Sequence, residues 1–250
     1  SAGVPELLLN LHEQFVIPPL WAGWHVRRKS AHFAAYRDVA QLFARELGID
    51  PWLIDPDFEV CNKINFHERV GEECLAGSVD KLLNRMRLKY KEYGITDEPF
   101  VIVKADAGTY GMGIMTVKDA SEVKQLNRKQ RNKMAVVKEG LQVTDVIIQE
   151  GVPTVERVDE GTAEPVVYML DRYVVGGFYR VNATRGTDEN LNAPGMHFKP
   201  LAFATGCSLP DARMAPDAPA NRFYAYGVVA RLALVAASVE LERAAPAEVA

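Results

Sequence analysis

The chain has 250 residues, 48% hydrophobic and 25% charged, with a net charge of −4. This is the composition of a soluble globular protein with one or two domains, and the acidic balance removes any bulk electrostatic case for nucleic acid. The three cysteines, Cys61, Cys74 and Cys207, are odd in number, widely spaced and without a CxxC. They make no disulfide framework and suit a reducing cytoplasm. The five histidines make no metal-ligand spacing with them. No signal peptide is visible, and the chain begins at Ser1, which reads as a fragment or a processed form.

In chain order, residues 5–15 form a short amphipathic segment with helical spacing, ended by Pro18 and Pro19. Trp21, Trp24 and His25 follow in a loop, then the basic cluster Arg27, Arg28 and Lys29. Residues 30–47 are a helical pattern with Ser30 as cap and Gly48 as terminator. Its expected apolar face is Phe33, Val39, Leu42, Phe43 and Leu47. The cluster is either a solvated helix start or a set of cations aimed at phosphates. Residues 50–66 are loop-rich, and 68–93 read as a long helix with Leu82, Leu83, Met86 and Tyr90 inward and Gly94 as its C-cap.

The most informative stretch is 100–117, FVIVKADAGTYGMGIMTV. An apolar strand runs to Lys104, a loop of small residues follows, and a second strand occupies 114–117, with β-branched residues supplying the bias. Gly108, Gly111 and Gly113 let the loop bend through positive φ and lie close to a large anion. Such a loop offers backbone N–H groups to phosphate oxygens, and Lys104 adds a point charge. A plain hairpin turn with a solvated lysine is the competing reading. A P-loop would place its lysine after the glycines. A dinucleotide fold needs GxGxxG opening a helix, and a protein kinase needs HRD and DFG motifs. None of these is met, which leaves a glycine-rich flap between two antiparallel strands with a lysine on the first.

Beyond it, Asp119 and Ser121 open a polar helix to about Met134, and its basic run reads as a solvated face. Residues 143–149 are a strand ending in Gln149, Glu150, Gly151 and Val152, either a simple strand end or a hinge offering backbone groups to an adenine edge. Residues 154–163 are expected to be a mobile loop. A strand at 166–174 carries Asp171 and Arg172. Gly176 and Gly177 then turn into a strand at 178–182, with Arg180 and Asn182 on one face. A polar loop at 185–195 holds Asn190 and Asn192, 198–203 forms a further strand, and 205–221, rich in Pro, Ala and Asp, is either disordered or a linker. Residues 222–243 make an apolar helix. Arg231 in mid-run and a short uninterrupted apolar span favour a core helix over a membrane span.

These roles come in a characteristic order: Lys29 before a helix, Lys104 ahead of a flap, a hinge at 149–152, Arg172 and Arg180 on later strands, Asn190 in a loop. The order resembles the ATP-grasp superfamily of carboxylate–amine ligases, in which two α+β lobes enclose ATP between antiparallel sheets. The segments VRRKSAHFAAY, GIDPWLIDP, EPFVIVKADAGTYGMGIMTV, YMLDRYVVGGFYRVN, DENLNAPGMHF and NRFYAYGVVARLAL resemble the proteobacterial glutamate–cysteine ligase family of that superfamily, over nearly the whole chain. Residues 164–168, with Arg172, Gly176, Gly177 and Asn190, are also similar to glutathione synthetase.

The resemblance implies an α+β ATP-grasp fold in three parts: a helical and linker part at 1–97, a small lobe with the flap at 98–152, and a C-terminal lobe at 153–250 ending in a core helix. It implies ATP-dependent joining of the glutamate γ-carboxylate to the amine of cysteine through an acyl phosphate, with ATP and Mg²⁺, in the cytoplasm. No nucleic acid or membrane is implied, and homo-oligomerisation is left open. Arg180 and Lys104 are the expected catalytic cations. Lys29, Lys104, Gly108, Tyr110, Gly111, Gly113, Gln149, Glu150, Val152, Arg172 and Asn190 are expected to hold the nucleotide. ATP-grasp enzymes usually carry an acidic Glu-x-Asn strand after their last helix, which this sequence does not show. The metal role then falls either to residues outside this chain or to Asp171, Glu189 and Asn192, the expected metal ligands within it. Family members are also longer, with a further N-terminal region. Another ATP-grasp ligase of the glutathione synthetase kind, or a nucleotide-binding module without catalysis, are the alternatives.

Overall fold

The computed structural model describes residues 6–9, 16–23, 27–108, 113–135, 142–200 and 222–245. Its elements are α1 (Glu6–Leu9), α2 (Lys29–Leu47), β1 (Phe58–Cys61), α3 (Glu72–Tyr93), β2 (Val101–Ala105), β3 (Ile114–Val117), α4 (Ala120–Lys124), α5 (Arg128–Ala135), β4 (Val146–Glu150), β5 (Glu156–Val158), β6 (Gly161–Leu170), β7 (Tyr173–Asn182), β8 (His197–Pro200) and α6 (Arg222–Ala244). The fold is α+β with two four-stranded antiparallel sheets. The chain divides into two compact units, Ser1–Val152 with Ala237–Ala250, and Pro153–Ala236.

In the first unit the strand order is β1-β4-β2-β3. Helix α3 forms because Leu75, Val79, Leu82, Leu83 and Met86 recur at helical spacing and make one apolar stripe. That stripe is buried against Val101, Val103, Val146 and Ile148 of the sheet. Each such side chain contributes about 1.5–3 kcal/mol by leaving water. Period two then sends Ile102, Lys104, Ile147 and Gln149 to the opposite face. At Gly151 an added Cβ would sit 2.2 Å from Phe100 ring carbons and 2.6 Å from its carbonyl oxygen, so only glycine fits where β4 leaves the sheet.

Helix α2 corrects the sequence reading twice. Its buried side is Ala35, Tyr36, Ala40 and Ala44, while Leu42 and Leu47 are 52% and 58% exposed. Alanines spaced for close approach outweigh larger residues on the other side. Ser30 does not cap the helix either: Arg28 stands at the N-cap position without a side-chain bond. Strand β1, in the stretch expected to be loop, is four residues long and among the described strands pairs only with β4. The polar helix expected at 119–134 is two helices, the first started by a capping box in which Asp119 accepts from the Ser121 amide and Glu122 from the Asp119 amide.

The second unit is a sheet of order β5-β6-β7-β8. The expected mobile loop at 154–163 is strand and turn, with Asp159 and Glu160 at positive φ between β5 and β6. The ten-residue strands β6 and β7 form one hairpin that turns at Asp171 and Arg172, with Asp171 at φ 54°. Gly176 and Gly177 therefore lie inside β7, opposite Tyr168 and Val167, rather than making the turn. The expected linker at 205–221, and residues 201–203 of the expected strand, fall outside the described residues.

Helix α6 contains a 21-residue stretch, Tyr224–Ala244, long and apolar enough to cross a membrane, with mean hydropathy 1.4. Arg231 still interrupts the apolar run, but only 22% of it is buried, which corrects the expectation of a core helix. Two of its charges are nevertheless held by protein groups: Arg231 Nε donates to the Arg172 carbonyl at 2.9 Å, and Glu240 is bound by Arg27.

Candidate functional site

The first unit gathers its cations where β2 exits and α2 begins. Lys104, on the sheet face away from α3, donates from Nζ to Gln149 Oε1 at 2.6 Å. Lys104 pairs with Ile147, and Gln149 lies two residues further along β4, so the contact is a same-face diagonal. Burial, with a smaller push from the nearby Lys29 charge, lowers the Lys104 pKa from 10.5 to about 8. Among the described residues no carboxylate pairs with it.

Lys29 opens α2 and folds back onto the β2 exit. Its Nζ donates to the carbonyls of Ala105 at 2.8 Å, Gly108 at 2.9 Å and Asp106 at 3.4 Å. Its pKa is lowered, chiefly by burial, against a partial pull from Asp106. Asp106 is buried and takes the Ser30 amide at 2.8 Å and the Ser30 hydroxyl at 2.7 Å on its carboxylate. Gly108 and Gly113 adopt φ 86° and 62°, and the Ala105 amide donates to the Gly113 carbonyl. The loop therefore leaves and rejoins the sheet in the bent form its glycines allow. Tyr110 and Gly111 lie outside the described residues. The result is two desolvated ammonium groups at the foot of a glycine loop, held by neutral acceptors, an arrangement that favours an incoming anion.

Gln149 is thus part of the Lys104 contact. Glu150, its neighbour, points to the α3 side, where its carboxylate accepts from Trp52 Nε1 at 2.9 Å and from the Asp57 amide at 3.1 Å. Its own amide donates to the Asp57 carbonyl. Burial raises its pKa more than these bonds lower it. Val152 is 67% exposed at the end of the strand segment.

The remaining expected residues lie in the second unit. Arg180 forms an ion pair with Glu164 across β6 and β7, and its buried Nε has no hydrogen-bond partner among the described residues. Arg172, at the hairpin turn, donates to the Tyr173 hydroxyl and covers that ring at 5.2 Å. Asp171 shares this turn, while Asn190, Glu189 and Asn192 belong to the loop beyond the other end of β7. Glu189 accepts from Arg185 Nη1 and the Gly186 amide, both at 2.7 Å, and Asn190 Oδ1 from the Asn192 amide. The three expected metal ligands are therefore not brought together, and no group of three His, Cys, Asp or Glu side chains that could hold a metal ion occurs among the described residues.

Sequence reasoning missed Asp106 and Trp52, and gave Asn182 a place on the Arg180 face but no role. Asp106 had a local signal, an acid two residues after Lys104 in the loop. Asn182 is fully buried and accepts from the Thr184 amide and hydroxyl at 3.0 and 2.8 Å, pinning the start of the 183–196 loop. Trp52 had no signal, because its partner Glu150 is 98 residues away.

The comparisons bear on this arrangement. The family model described as GshA, glutamate-cysteine ligase, matches residues 1–241. A crystal structure from Methylobacillus flagellatus KT, whose name gives gamma-glutamylcysteine synthetase as its provisional assignment, is 64% identical with a TM-score of 0.85. The match covers 97% of this chain and 57% of that one, so the chain spans little more than half the length of that relative. A search of curated proteins found no match. With nearly all of its residues inside the family model, the chain belongs to the glutamate–cysteine ligase family.

Proposed function

We propose that this chain carries the nucleotide site of an ATP-dependent glutamate–cysteine ligase with ATP-grasp architecture. The observation that carries the reading is Lys104: a half-buried lysine with a pKa of about 8 and a neutral partner, beside a second desolvated lysine, at a glycine loop. The polyphosphate of ATP would supply the missing negative charge. Family membership supports glutamate and cysteine as the substrates.

In this reading a glutamate γ-carboxylate oxygen attacks the γ-phosphorus of ATP, and ADP leaves with its oxygen neutralised by Lys104. The cysteine amine then attacks the activated carbonyl carbon, phosphate leaves, and the nitrogen gives up its proton. Lys29 holds the loop entrance through three carbonyls, so that the amides of the flap, including Gly108, Tyr110, Gly111 and Gly113, can close over phosphates. Gln149 positions Lys104, and the segment from Glu150 to Val152 offers the adenine edge its exposed end. Arg180, paired with Glu164 in the second unit, keeps the catalytic role that the resemblance implies. Arg172 and Asn190, also in the second unit, keep the nucleotide-binding roles that the resemblance implies. The residues expected for Mg²⁺ (Asp171, Glu189 and Asn192) do not converge in the described structure, and no step here runs through a protein-held metal.

The test is ADP release by the purified protein with ATP, Mg²⁺ and amino-acid pairs. ADP formation that requires glutamate and cysteine together is expected. Turnover with a γ-glutamyl dipeptide and glycine, but none with glutamate and cysteine, would replace this reading with the glutathione synthetase-like one.

A further inference from the structure

Cys61 ends β1 and Cys74 lies in the first turn of α3, yet their Sγ atoms are 3.2 Å apart. Spacing along the chain, which gave no disulfide framework, hid this meeting because the intervening residues fold back on themselves. Asn65 and Val70 form a small antiparallel bridge there, and Gly71 turns the chain into α3 at φ 81°. An added Cβ at Gly71 would sit 2.5 Å from Ile64 Cδ1, so the turn is closely packed. The two thiols differ in access: Cys74 is exposed and Cys61 is buried in the core between β1 and α3. Cys61 Sγ also lies 3.3 Å from Ser78 Oγ, one helical turn beyond Cys74.

We propose that Cys61 and Cys74 are an oxidation site that closes to a reversible intramolecular disulfide when the chain meets a low-molecular-weight disulfide. The Cys74 thiolate attacks one sulfur of the small disulfide, whose other half leaves as a thiolate and takes up a proton. Cys61 then loses its proton and attacks Cys74 Sγ, expelling the second small thiol. One small disulfide has been reduced to two thiols, and two protein thiols have been oxidised to one disulfide. Access fixes the order, since of these two thiols the exposed one, Cys74, is the one a soluble disulfide reaches. Burial pushes the Cys61 thiol up to about 11, so it is a poor nucleophile toward solution partners. Held beside an activated Cys74, it reacts by proximity instead. The sulfurs need only close from 3.2 Å to about 2.05 Å.

The bond would fasten the start of α3 to a row that crosses the sheet. Cys61 pairs with Val146, Val146 with Ala105, and the Ala105 carbonyl accepts from Lys29. The proposal stands on the thiol geometry alone and is independent of the nucleotide reading.

The experiment treats the native chain with bis(2-hydroxyethyl) disulfide, blocks remaining thiols, and maps tryptic peptides by mass. Residues 46–63 and 70–81 fall in separate tryptic peptides, each with one of the two cysteines. The expected result is a linked 46–63/70–81 pair that dithiothreitol dissolves, in a chain that melts about 5 °C higher than the reduced one. Cys74→Ser should leave peptide 46–63 unmodified, and Cys61→Ser should stop at a mixed disulfide on 70–81. Both peptides free after treatment, Cys74 linked to the peptide carrying Cys207, or a linked chain that melts lower than the reduced one would overturn the proposal. The wild-type map decides it even if a variant fails to fold.

Discussion

The Asp106 carboxylate holds Ser30 twice, by the amide at 2.8 Å and the hydroxyl at 2.7 Å, and so ties the first turn of α2 to the exit of β2. A carboxylate at a helix N-terminus also meets the positive end of the helix dipole. The same junction sets Lys29, whose amide donates to the Asp106 carbonyl at 2.9 Å. Asp106→Ala should therefore destabilise the chain by about 1–3 kcal/mol, because two donors lose a buried acceptor. Urea unfolding at neutral pH measures this, and Ser30→Ala should cost less, since the Ser30 amide keeps its partner.

Lys104 is a cost to the fold in the absence of an anion. Its pKa in the folded chain, about 8, lies below its ordinary value of 10.5. Below pH 8 folded and unfolded chains both carry the proton, and the whole desolvation cost bears on the fold. Between about pH 8 and 10.5 the folded chain loses the proton first, so this group's contribution to stability rises with pH. The displacement corresponds to roughly 3 kcal/mol. Lys104→Met should thus be more stable than wild type at pH 7 by about 1–3 kcal/mol, and its advantage should shrink at pH 10. A methionine variant less stable than wild type at pH 7 would show that the lysine is compensated in the free protein.

Glu240 is bound by Arg27, with its Oε1 accepting from Nε at 2.9 Å, and lies 3.0 Å from His32 Nδ1. Burial pushes its pKa up, but the Arg27 bond and charge outweigh that and hold it below the ordinary carboxylate value. A depressed carboxylate stabilises the fold above its unfolded pKa and loses that contribution as pH falls through the folded one. Glu240→Gln should cost about 1–2 kcal/mol at pH 7, and the gap should narrow as pH is lowered toward about 4. Paired urea titrations at the two pH values check both the size and the sign.

How far the sequence could be read depended on whether a signal was local. Strands β2 and β3, helix α3 and the glycine loop all announce themselves within a few residues, through apolar runs, helical spacing and glycines. The placing of Lys104 on β2 needed only the strand that carries it. The α2 face was misjudged because alanine was not weighed as a core residue, although close helix packing selects for it. The β6–β7 turn was placed at two glycines, but a polar pair, Asp171 and Arg172, makes it. Partnerships across long sequence separation, such as Trp52 with Glu150, Arg27 with Glu240 and Cys61 with Val146, follow from strand pairing and helix docking and leave no local trace.

The most direct test of the central claim, that the Lys104 and Lys29 junction is the phosphate site, is calorimetric titration of ATP into wild type and Lys104→Met at pH 7. The half-buried charge should be worth about 1.5–3 kcal/mol to the bound polyphosphate, so the variant should bind roughly 10- to 100-fold more weakly while remaining folded. A folded Lys104→Met chain with wild-type affinity for ATP would contradict the assignment and move the nucleotide elsewhere in the molecule.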